Sequence, residues 1–78
     1  MNTAEKAIER SKSHDEIVTI DYDADAGETL AAECDDSVHG NGVTEYWAND
    51  PDSETKMLWR VHMRDEGEPG GLNYGRAP

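Results

Sequence analysis

Apolar residues along this chain recur first at helical spacing and then at strand spacing. Ala4, Ala7, Ile8 and Ser11 fall three and four apart, which places them on one face of a helix over about residues 3–13. Ala, Glu, Lys and Arg are good helix formers, and Asn2 or Thr3 can cap the start. "EIVTIDY", residues 16–22, switches to period two and is rich in β-branched side chains. Val18, Ile20 and Tyr22 share one face of that strand, and Ile17 and Thr19 the other. A second helix is expected over about residues 26–35. Asp25 stands ready to cap it, with Glu28 three residues on as in a capping box, and Leu30, Ala31 and Cys34 form its apolar side.

"SVHGNG", residues 37–42, reads as a loop from its Gly and Asn content. "VTEYWAN", 43–49, reads as a strand, "DPDSE", 50–54, as a turn, and "TKMLWRVHM", 55–63, as a strand that closes a hairpin. In this last strand Met57, Trp59, Val61 and Met63 point one way, and Lys56, Leu58, Arg60, His62 and Arg64 the other. A register that brings Tyr46 near Trp59 sets Glu45 near Arg60 on the outer face, a favourable cross-strand pair.

The expected architecture is therefore α+β, in the order α-β-α-β-β, with a three-stranded, mostly antiparallel sheet and the helices on one face. Its core is Val18, Ile20, Tyr46, Trp59 and Val61. Residues 1–64 form one domain, and the Gly- and Pro-rich residues 65–78 form a flexible tail from which Leu72 and Tyr74 are able to dock. The core is thin, as expected of so short a chain. A homodimer is a common remedy, formed through a sheet edge or through the second sheet face with Ile17, Trp47 and Leu58.

Charge changes this picture. The 78 residues carry 18 acids against 7 Lys and Arg, for a formal net charge of −11, and there is no Phe. From Ser13 to Thr55 there are thirteen acids and no Lys or Arg. Few large aliphatics with high net charge would ordinarily mark disorder, yet the apolar residues are patterned as a folded domain requires. Molar salt reconciles the two, because the Debye length falls to about 3 Å and carboxylates on one surface hardly repel. The segments "VTIDYDADAGETLAAE", "VTEYWAND" and "LWRVHMR" together resemble short, acidic, functionally uncharacterised proteins of halophilic archaea and their viruses. That resemblance implies salt adaptation and no particular activity.

Candidate chemistry is sparse. Asp21, Asp23 and Asp25 nearly match the opening of an EF-hand calcium loop, whose ligands stand at positions 1, 3 and 5. Position 6 is Ala26, with Gly27 one place late, and position 12 is Ala32, with Glu33 one place late. The favoured reading is a strand exit followed by a helix cap. Cys34 with His39, His14 and His62 has zinc-compatible donors without a zinc spacing. Cys34, His39 and Asp36 permit a thiolate triad only in the sense that any such residues do, and no phosphate-binding Gly-rich loop is present. A single Cys excludes an internal disulfide. No cofactor is implied, and the chain is not expected to be an enzyme.

No apolar run approaches the ~18 residues of a membrane span, and residues 1–16 lack the apolar segment of a signal peptide. The expectation is a soluble, cytoplasmic protein without membrane contact. Direct nucleic-acid binding disagrees with the charge.

What remains is a protein-interaction domain, adaptor or regulatory. Its contact candidates are Tyr46 and Trp47 on the second strand and Arg60 and Arg64 on the third, since aromatic and Arg residues dominate interfaces when central. The alternative is an acidic decoy that mimics DNA before a DNA-binding protein.

Overall fold

The computed structural model describes residues 1–53 and 55–67, and the order of elements is α-β-α-β-β-β. Helix α1 spans Thr3–His14 and opens with a complete capping box. The Asn2 side chain accepts the Glu5 N–H, and the Glu5 carboxylate accepts the Asn2 N–H. The helix ends at Asp15 in the left-handed region, at φ 51°. Its buried face is the expected one, Ala4, Ala7, Ile8 and Ser11.

Strand β1, Ile17–Ile20, stops two residues short of the expected end and leaves Tyr22 exposed. Helix α2, Ala24–Glu33, starts earlier than expected. Asp23, not Asp25, is its cap, with the carboxylate accepting the Ala26 N–H at 3.1 Å. Asp23 is extended, at φ −156° and ψ 115°, as a cap residue is before the first helical turn. Asp25 falls in the first helical turn, where its charge suits the helix dipole. Gly27 is more than tolerated there. A Cβ at this position would stand 2.9 Å from the Met63 Cε, so the missing side chain lets α2 lie close on the sheet.

Four strands, not three, form the sheet among the described residues. The additional one is β2, Asp36–Gly40, inside the segment expected to be a loop. Asn41 and Gly42, both at positive φ (56° and 77°), make a two-residue turn that pairs β2 with β3, Val43–Asn49. Asn-Gly is the preferred dipeptide for such a turn. Strand β4, Met57–Arg64, begins two residues later than expected. Its register on β3 shifts accordingly, so that Tyr46 opposes Val61, Glu45 opposes His62 and Trp47 opposes Arg60. A shift of two keeps every side chain on its expected face.

The strand order is β1-β4-β3-β2. β1 runs parallel to β4 and the other pairs are antiparallel, so the sheet is mixed rather than mostly a simple meander. Both helices contribute to one apolar cluster with Tyr46, Ala48, Trp59, Val61 and Met63, and Val18 and Ile20 pack at its margin. Of the five expected core residues, Tyr46, Trp59 and Val61 lie in that cluster, and Val18 and Ile20 are only partly buried against it. Ser11 joins helix to sheet. Its Oγ donates to the Glu16 carbonyl at 2.6 Å and accepts the Arg60 N–H at 2.8 Å.

The expected tail lies outside the described residues from position 68 onward, Leu72 and Tyr74 included. Its first residue, Asp65, is tied to the domain: its N–H donates to the Gly42 carbonyl, and its carboxylate meets the His39 Nε2 at 2.7 Å.

Candidate functional site

With the helices on one face, the register fixes what the second face presents. Ile17, Arg60, Trp47 and Asp36 form one row across β1, β4, β3 and β2. Thr19, His62, Glu45 and Val38 form the next, and Arg64, Val43 and Gly40 the third. By alternation Leu58 precedes the first row on β4. Ile17, Leu58 and Val38 are among the exposed large apolar residues, Val38 most of all at 53%.

The basic stripe on β4 is largely neutralised. His62, 1% exposed, meets the Glu45 carboxylate at 2.6 Å. Arg64 pairs with Asp21. Arg60 differs: among the described residues its half-buried guanidinium makes no ion pair or hydrogen bond, and it stands between Ile17 and Trp47. An unpaired cation flanked by apolar side chains has an unmet demand for a carboxylate, and its cost of desolvation is already partly met.

The four contact candidates therefore separate. Trp47, Arg60 and Arg64 share the face away from the helices, on which His62 and Val43 are themselves buried. Tyr46 is on the opposite face, 9% exposed in the core, where burial pushes its hydroxyl pKa above the ordinary value.

The three metal candidates also separate. Asp21 is held by Arg64, Asp23 by the Ala26 N–H, and Asp25 is exposed on α2. Among the described residues, no three His, Cys, Asp or Glu side chains are grouped to hold a metal ion. Cys34 and His39 take different partners, the thiol on the Ala31 carbonyl at 3.5 Å and the imidazole on Asp65. Burial raises the Cys34 pKa, and the nearby Asp36 and Asp35 charges add to that effect against an opposing backbone hydrogen bond. A thiol so placed is a poor nucleophile at neutral pH.

The edges of the sheet are less inviting than its face. β2 is an edge strand with all five residues exposed, yet the Asp36 carboxylate accepts the Ser37 N–H at 2.8 Å. A short strand with an acid on its own free N–H is a protected edge. Two hollows are shallow company for these features. One of about 190 Å³ lies over Val38, His39, Gly40, Asn41 and Val43, and one of about 470 Å³ beside α1 is lined by Met1, Glu5, Ile8, Glu9, Lys12 and Glu33. Among the described residues, no helix is long and apolar enough to cross a membrane.

Sequence reasoning found Trp47 and Arg60 but weighed Asp36 only as an orienter for Cys34, between the expected helix over 26–35 and the expected loop over 37–42. The Asn-Gly turn was the available signal for β2. No family model matches this chain, and no curated protein or solved structure matches it.

Proposed function

We propose that this chain is a small, salt-adapted protein-interaction domain, adaptor or regulatory in role and without catalytic activity. The observation that supports this reading best is Arg60. It is the stripe cation with no partner among the described residues, and it sits beside Trp47 on the sheet face away from the helices. A cation and an indole side by side suit a carboxylate with an apolar neighbour, as protein surfaces offer. A chain of net charge −11 is a weak match for a nucleic-acid backbone.

The decoy reading draws less support. Of the twelve acids between Ser13 and Thr55 that the structure describes, seven engage donors within the chain: Glu16, Asp21, Asp23, Asp35, Asp36, Glu45 and Asp50. Carboxylates committed to the fold are poorly placed to imitate a row of phosphates.

The test is affinity capture from a halophilic archaeal lysate in molar potassium chloride, comparing the natural chain with Trp47→Ala, Arg60→Ala and the helix-surface control Glu9→Ala. A stoichiometric protein held by the natural chain and the control, and lost from the two face variants, is the expected result. Equal capture by all four chains refutes a role for the face. Capture of DNA-binding proteins that free DNA displaces favours the decoy instead.

A further inference from the structure

Val43 and His62 are more deeply buried than the helices and strands explain. Both belong to the sheet face away from the helices, and each is only 1% exposed. All four strands lie in the one sheet, and both helices pack on its other face. Side chains on a strand stand roughly perpendicular to the sheet, so neighbours in the same sheet flank a side chain and leave its tip open. Val43 has little even of that flanking. Its cross-strand partners are Arg64 and Gly40, and Gly40 has no side chain. The shielding is also narrow. On the outer strands of the same face Ile17 is 42% exposed and Val38 53%, and in the first row Trp47 and Arg60 are only half-buried. A globular body packed on this face would shield the outer strands as well, whereas a single segment of chain covers only what it crosses.

We propose that residues 68–78 of the same chain return across the sheet as a strap, with Leu72 and Tyr74 seated on Val43 and His62. The chain leaves the sheet at the right place. β4 ends at Arg64, directly in register with Val43, and Asp65 is tied to Gly42 beside it. Gly67, at φ 85°, then turns the chain in a conformation that glycine adopts without strain. Leu72 and Tyr74 are the two large apolar residues of the sequence beyond Met63. In an extended segment they share one side, and Asn73 takes the other. Two extended residues advance about 6.8 Å, which is also the step from the row of His62 to the row of Val43. The five residues from Gly67 to Leu72 reach up to about 17 Å, more than a turn and one row require. Gly70 and Gly71 lack the side chains that would hold a strap off the sheet. The strap goes beyond the binding reading and holds without it. It occupies the rows next to Trp47 and Arg60 and leaves that first row to a partner.

The experiment is nuclear Overhauser spectroscopy on the whole 78-residue chain in molar potassium chloride. Contacts from the Leu72 methyls and the Tyr74 ring to the Val43 methyls and the His62 ring are expected. An isotope-filtered mixture of labelled and unlabelled chains shows whether they arise within one molecule. The double variant Leu72→Ser, Tyr74→Ser is expected to lose them and to melt roughly 4 °C lower or more, as removal of buried apolar surface requires. Asn73→Ser, on the solvent side of the strap, is expected to change neither the contacts nor the midpoint.

A natural chain in which Val43 and His62 show no contact with residues 68–78 overturns the proposal. So do contacts that arise only between copies, or a folded double variant that melts with the natural chain. Where the double variant does not fold, the contacts within the natural chain decide by themselves. None of these readouts involves a captured protein, so the strap and the binding reading stand or fall separately.

Discussion

Ser11 shows how much one hydroxyl carries. In a parallel ladder with Ile17 opposite Arg60, the Arg60 N–H points at the Glu16 carbonyl. The Ser11 Oγ stands between these two groups and bonds both, so α1 is stitched into the first rung of the β1–β4 pair. Ser11→Ala leaves a buried donor and acceptor without partners, and the expected loss is about 1–3 kcal/mol by urea denaturation. A loss under about 0.5 kcal/mol would show that the strands close the rung directly. Cys34 and Tyr46 make a second prediction at this scale. Both have pKa values raised above their ordinary 9.0 and 10.0, chiefly by burial. The folded state therefore binds more protons than the unfolded one at alkaline pH. The stability that follows is complete below about pH 9 and is lost as pH rises through the folded values. Thermal melts from pH 8 upward should show a falling midpoint, and Cys34→Ala should shallow the fall.

Among the elements, β2 is the one whose existence hangs on a turn. Its side chains are all exposed and only Val38 is a large apolar residue, so no alternation announced a strand. What creates it is Asn41-Gly42, with both residues at positive φ. Gly42→Ala puts a Cβ at φ 77° and should destabilise the domain by about 1 kcal/mol, with the largest loss of amide protection in β2. Unchanged protection in residues 36–40 would mean that β2 is held by other contacts. The same element places Asp36 in register with Trp47. Helix α2 teaches a related lesson. Asp23 and Asp25 are both good caps by residue type, and Asp23 takes the place.

At the scale of the whole molecule, the charge of −11 sits on a thin core. Raising potassium chloride from about 0.1 M to about 1 M shortens the Debye length from about 10 Å to about 3 Å. If relief of repulsion is worth about 2 kcal/mol, the melting midpoint should rise by roughly 8–16 °C for a chain of this size. A flat midpoint over that range would show that the acids do not oppose folding and would remove the physical argument for salt adaptation.

Local pattern was enough to determine α1 with its buried face, the β3–β4 hairpin, the core places of Tyr46, Trp59 and Val61 and the in-or-out sense of Trp47 and Arg60. These depend on periods of 3.6 and 2 and on side-chain chemistry, which a single chain carries in plain order. The order β1-β4-β3-β2, the parallel β1–β4 pair, the register that sets Trp47 against Arg60 and the line from Arg60 through Trp47 to Asp36 came only with tertiary structure. Each joins residues far apart in the chain, and nothing in a local pattern says which strand becomes whose neighbour. Partner choice among the charges was settled in the same way. Glu45 went to His62 and Asp21 to Arg64, and Arg60 was left for something else.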